Sequence, residues 1–77
     1  MEKKLWLIVA FGGTTEAIQA EKLFKQDNIY GQLIPTPRSI NSSCGLCWRT
    51  ETAVRQSIEE LLRQHKLEAL SYTEMPM

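Results

Sequence analysis

The sequence lacks the features that would place it quickly. Its longest apolar run, Leu5 to Phe11, falls far short of the ~20 residues that cross a membrane. The same run, though preceded by Lys3 and Lys4, is too short for the core of a secretory signal and has no small-residue cleavage site after it. Charge of one sign is missing too: nine Lys and Arg balance nine Asp and Glu. No overall field or basic cluster therefore steers the chain to nucleic acid or an anionic membrane. There are two cysteines and one histidine. Two thiols at Cys44 and Cys47 would close only a tiny loop, which argues against a structural disulfide of the secreted kind. These absences predict a cytoplasmic protein with reduced thiols.

What is present is the composition of a folded domain, with 43% apolar and 23% charged residues. A chain of 77 residues forms one domain spanning 1–77, buries only about 60–65% of its unfolded surface and has a thin stability margin. A second copy paired through a sheet edge would help.

Leu5 to Phe11 (LWLIVAF) is continuous rather than alternating, and predicts a central strand buried on one face and shielded by neighbours on both edges. Gly12 and Gly13 end it. Thr14 or Thr15 can cap a helix in which Ala17, Ala20, Leu23 and Phe24 recur at helical spacing. Asp27 and Asn28 suit a left-handed helix end, and Ile29 to Ile34 then reads as a strand stopped by Pro35 and Pro37. Residues 35–45 (PTPRSINSSCG) make a long loop, followed by a short strand, Leu46 to Arg49, that puts Leu46 and Trp48 on one face and Cys47 and Arg49 on the other. Thr50 can cap a second helix with Val54, Ile58, Leu61 and Leu62 on its apolar stripe. Leu67 to Thr73 predicts a fourth strand, and 74–77 a loose tail.

The order β-α-β-β-α-β predicts an α+β fold, the ferredoxin-like two-layer sandwich, with a four-stranded antiparallel sheet and both helices on one face. Strand directions then place Cys44 at the same end of the domain as Gly13 to Thr15, His65 and Lys66. Arg49 is expected toward the other end.

The loop "SSCGLCW" (42–48) holds the candidate chemistry. A structural zinc site needs four ligands, and Cys44, Cys47 and His65 leave one chain a ligand short, so no metal is expected. Haem attachment would need His, not Trp, at position 48. A thioredoxin-type dithiol needs its first Cys at a helix N-terminus directly after a strand, whereas Cys47 falls within a strand. A redox or redox-sensing pair of Cys44 and Cys47, with Cys47 as resolving thiol, stays open as an alternative. So does a non-catalytic ferredoxin-like binding or regulatory domain. The third reading is a single nucleophilic thiol, Cys44, on an exposed loop between Ser43 and Gly45, its anion favoured by the start of the first helix at Thr14 and by Arg38 or Lys66. His65 reads as a helix C-terminal residue favoured by the dipole rather than a base. Trp6 and Trp48 read as core or edge aromatics.

The helix "EAIQAEKLFK" (16–25), the strand entering "LIPTPRSI" (33–40), and "SSCGL" (42–46) with Arg49 together resemble a small bacterial family of selenium/sulfur carrier-like proteins, over almost the whole chain. The resemblance implies a cytoplasmic carrier rather than an enzyme. Cys44 would be the carrier thiol, with Pro35, Thr36, Pro37 and Arg38 shaping the approach to it. No cofactor is implied beyond sulfur or selenium held transiently on Cys44. The implied partners are a donor such as a cysteine desulfurase and an acceptor enzyme. Cys47 and Trp48 depart from the family pattern, where Ala and an aliphatic residue are usual, which argues against an obligatory Cys-x-x-Cys mechanism.

Overall fold

The computed structural model describes residues 4–37, 40 and 45–76. Strand β1 (Leu5–Phe11), helix α1 (Thr14–Gln26), strands β2 (Gly31–Pro35) and β3 (Leu46–Glu51), helix α2 (Arg55–Gln64) and strand β4 (Ala69–Pro76) follow in order, with a 3₁₀ turn over Thr52–Val54 ahead of α2. The strands form one sheet in the order β2-β3-β1-β4, antiparallel at every pairing. Side chains of α1 and α2 join one cluster on one sheet face, which gives the ferredoxin-like sandwich that the element order predicts.

The central position of β1 explains its continuous apolar sequence, but it is buried on both faces rather than one. Leu7, Val9 and Phe11 pack with Trp48 of β3, Ala17, Ala20 and Phe24 of α1, and Ile58, Leu61 and Leu62 of α2. Ile8 and Ala10 point the other way and are equally inaccessible, packed with Cys47 and Ile40 and flanked by Trp6, Ile34 and Met75. No helix supplies that cover. It comes from the β2–β3 connection, which plants Ile40 on the helix-free face after a turn in which the Ile40 N–H donates to the Pro37 carbonyl at 3.0 Å.

Several boundaries differ from the sequence reading for identifiable reasons. The N-cap of α1 is Gly13, in extended conformation and without a side-chain cap bond, so Thr14 is the first helical residue rather than the cap. The acidic charge in the first turn comes from Glu16, which suits the positive helix end. Glu21, at the rim of the apolar arc, is paired with Lys25 one turn on, at 3.5 Å. Both helices end in the same reversal. After α1, Asn28 is left-handed, its N–H donates to Lys25 O, and the Ile29 N–H donates to Phe24 O; after α2, Lys66 is left-handed and Lys66 and Leu67 repeat the two bonds to Arg63 O and Leu62 O. This is the Schellman arrangement, and it takes Ile29 and Leu67 out of the strands they were expected to begin.

Strand β3 continues to Glu51, so Thr50 is a ladder residue and not a helix cap. It pairs with Leu7 and Gly31, is fully buried, and its hydroxyl donates to the Tyr30 carbonyl at 2.6 Å. Strand β4 extends through Pro76, where a tail was expected, because Glu74, Met75 and Pro76 pair with Leu7, Trp6 and Leu5. Arg49 pairs with Ile8 at the middle of β1 instead of lying at the far end.

The largest buried side chain, Trp48, dictates a neighbour. Its ring lies 5.0 Å from that of Phe24, and a Cβ at Gly31 would come within 2.7 Å of the indole as well as into the Arg49 carbonyl oxygen. Gly31→Ala should therefore destabilise the fold by about 1–3 kcal/mol, as overpacking does, measured by urea unfolding. On the outer part of the helical layer, Arg55 lies over the Tyr72 ring at 5.3 Å. Burial, then the nearby Glu59 charge, raise the Tyr72 pKa above 10.0, against the opposing pull of Arg55 and Arg63. The folded state thus favours the neutral phenol. That contribution is fully present below the unfolded tyrosine value of about 10 and is lost as pH climbs through the raised value. In paired pH titrations of unfolding free energy, Tyr72→Phe should show a shallower alkaline decline than the parent chain.

Candidate functional site

The two stems of the β2–β3 connection are held together where they leave the sheet. Pro35 is the last residue of β2 and pairs with Leu46, the first of β3. One step further out, the Thr36 N–H donates to the Gly45 carbonyl at 3.0 Å. The Thr36 side chain reaches back: its Oγ1 is 3.3 Å from Cys47 Sγ, a hydrogen bond in which either group can be the donor. Ile40, buried against Ile8, Ala10 and Cys47, is a further anchor between the stems. Pro35, Thr36, Pro37, Gly45 and Cys47 are thus gathered at one end of the sheet. Arg38, Ser43 and Cys44, which the sequence singles out, lie outside the described residues.

Strand phase decides what Cys47 is. Leu46 and Trp48 join the helix-covered core while Cys47 faces the opposite side, as alternation predicts. The Cys47 side chain has no accessible surface. It fills space between Ile34, Ile8, Ala10 and Ile40 in the manner of a small hydrophobe.

The remaining candidates share this end of the domain but not this corner. Because β4 occupies the edge opposite β2, the α2–β4 turn with His65 and Lys66 stands over the far side of the sheet. Strand spacing puts β3 and β4 roughly 10 Å apart. Lys66 lines a shallow cleft with Gly12, Glu16 and Leu70, so it does meet the start of α1. His65 faces a separate hollow with Gln19, Lys22 and Leu67 between the helices. Thr14 begins α1 at the same end. Among the described residues, no three His, Cys, Asp or Glu side chains come together as a metal-ligand set.

Residues 7–74 match the model of the family described as "Putative Se/S carrier protein-like". The chain belongs to this Se/S carrier-like family. The matched region takes in both stems of the loop, and positions 44 and 47 with them. No curated protein and no solved structure matches the chain. Among the described residues, no helix is long and apolar enough to cross a membrane.

Ile40 is the anchor of the candidate loop that sequence reasoning missed. Its signal was available, since it is the sole aliphatic side chain in the polar stretch PTPRSINSSCG. Periodicity cannot register a single anchor. The burial of Cys47 has a direct consequence: in Cys44→Ser protein, the remaining thiol should react with an aromatic disulfide reagent at least about 100-fold more slowly in buffer than in denaturant, since reactivity follows exposure.

Proposed function

We propose that this protein carries sulfur or selenium as a persulfide or perselenide on Cys44, receiving it from a donor protein of the cysteine desulfurase type and passing it to an acceptor enzyme. The family match across residues 7–74 carries the reading. The geometry of the other thiol supports it: Cys47 is buried and hydrogen-bonded to Thr36, which suits it poorly to carrying cargo and makes Cys44, next in sequence to Gly45, the candidate.

The transfer needs no external oxidant. The Cys44 thiolate attacks the outer sulfur of the donor's persulfide, a new S–S bond forms to Cys44, the donor's own S–S bond breaks, and the donor leaves as a thiolate. The acceptor thiolate repeats the step on Cys44. Such chemistry requires an accessible ionised thiol and docking surface rather than a deep pocket. Arg38 and Ser43 would flank that thiolate and Pro35 and Pro37 would shape its approach. The start of α1 at Thr14, and Lys66 beside His65 across the sheet, would add positive potential at the same end. The setting is the reducing cytoplasm of a bacterium.

Incubation with a cysteine desulfurase and cysteine, followed by intact-mass spectrometry without reductant, should show an adduct of about 32 Da per sulfur. The adduct should vanish in Cys44→Ser and persist in Cys47→Ala. A mass gain that survives Cys44→Ser would overturn the assignment. Loss of loading in Cys47→Ala, with the fold intact by circular dichroism, would favour a dithiol instead.

A further inference from the structure

The two edges of the sheet are unlike. Strand β2 is 5 residues long, begins at Gly31 and ends at Pro35, so it offers little backbone for further pairing. Strand β4 is 8 residues long and, among the described residues, pairs with β1 alone. Its ladder skips Leu70 and is regular from Ser71 to Pro76. From Ser71 to Met75 it carries none of the lysines or prolines that blunt an exposed edge. Its one charge there, Glu74, is exposed and has no ion-pair partner among the described residues.

Residues directly opposite in an antiparallel ladder both turn their N–H groups toward the partner or both turn them away. A two-fold pairing of β4 with a second β4 therefore centres on one residue, and the side chains decide which. Centred on Glu74, it sets the two carboxylates against each other. Centred on Ser71, it runs into the irregularity at Leu70. Centred on Tyr72, it leaves Glu74 opposite Leu70 and brings the two Arg55 side chains, each over its own Tyr72 ring, toward one another. Centred on Thr73, it puts Glu74 of each copy opposite Tyr72 of the other, and both residues face the helical layer because they pair with Leu7 and Val9. Arg55 lies over that ring at 5.3 Å, and the charged groups acting on Tyr72, namely Glu59, Arg55 and Arg63, sum to one positive charge. One carboxylate balances it. The same centre sets Leu70, 58% exposed, opposite the exposed Pro76.

We infer that β4 is a dimerisation edge: two copies of this chain pair antiparallel about Thr73 and join their sheets into one, with Glu74 of each copy set against Tyr72 and Arg55 of the other. The two-fold axis runs perpendicular to the sheet, so both helical layers stay on one side. Strand β2 and its connection to β3 remain at the outer ends of the joined sheet. A seam one strand wide is at the low end of interface sizes, and the association is reversible, with Kd on the order of 10–100 µM. This surface does not depend on thiol chemistry, so it stands or falls separately from the carrier reading.

The test is sedimentation equilibrium of the full chain from about 5 µM to about 1 mM, with reductant present so that no dimer is linked through Cys44. A monomer–dimer equilibrium is expected. Glu74→Arg should weaken it at least about five-fold, since two-fold symmetry applies the change twice, and Arg55→Glu should do the same. Both side chains are exposed, so each variant should keep the parent's circular dichroism. Combining Glu74→Arg with Arg55→Glu should restore dimerisation to within about two-fold of the parent. In Cys44→Ser protein treated with diamide, Thr73→Cys should cross-link to its own copy faster than Ser71→Cys, whose opposite residue is Met75. A chain that stays monomeric at about 1 mM would overturn the proposal, as would a dimer that neither single charge reversal weakens. Failure of the combined variant to recover would overturn the contact between Glu74 and Arg55. Faster cross-linking through Ser71→Cys would overturn the register.

Discussion

A strand of seven consecutive apolar residues must be covered on both faces, and the arrangement of this small domain follows from that demand. The side chains of β1 that point toward the helices meet an ordinary core of alanine, leucine, isoleucine and aromatics. Those that point away, Ile8 and Ala10, would be left to water in an open-faced sandwich. At roughly 25 cal/mol per Å² of apolar surface, exposing them would be a heavy loss for a chain of this size. The β2–β3 connection supplies the missing cover through Ile40, and Cys47 completes the layer beneath it. The loop that carries the candidate chemistry is for that reason also a component of the core.

This double duty accounts for the place of Cys47. On β3 the alternation of side chains sends Cys47 into the layer under the loop, where Thr36 is its polar neighbour. Cys44 belongs to the connection itself, between the buried Ile40 and the clasped Gly45. Cys47 is fixed by its ladder pairings with Ala10 and Ile34.

Much of the fold was legible because its signals are periodic. The helix stripes, the continuous run of β1 and the turn residues between them give the element order, and the order with right-sized connections leaves few sheet topologies. Element ends were harder. Ile29 and Leu67 look like strand residues by composition, yet each closes a helix by donating to a carbonyl five residues back. Thr50 has the chemistry of a cap, but its buried hydroxyl satisfies the Tyr30 carbonyl across β3 and β2. The end of β4 was concealed because Glu74 and Pro76 read as tail residues until Leu5 to Leu7 is seen to offer them a partner. At the candidate site, strand phase predicted the facing of Cys47. The expected grouping of Cys44 with His65 and Lys66 involves a residue outside those described; for the stems of its loop, Pro35 and Leu46, the expectation did not take in the sheet's width, which depends on strand order.

The bond from Thr36 to the Gly45 carbonyl has an evolutionary consequence. By fixing the two ends of the connection against each other, it confines any change of length or sequence between them to a closed excursion from the sheet. Lengthening such an excursion is inexpensive, since each doubling adds only about 0.6 kcal/mol of closure entropy. With Ile40 retained as its inner foothold, the connection can change in length or sequence while the ladder beneath it keeps the same register.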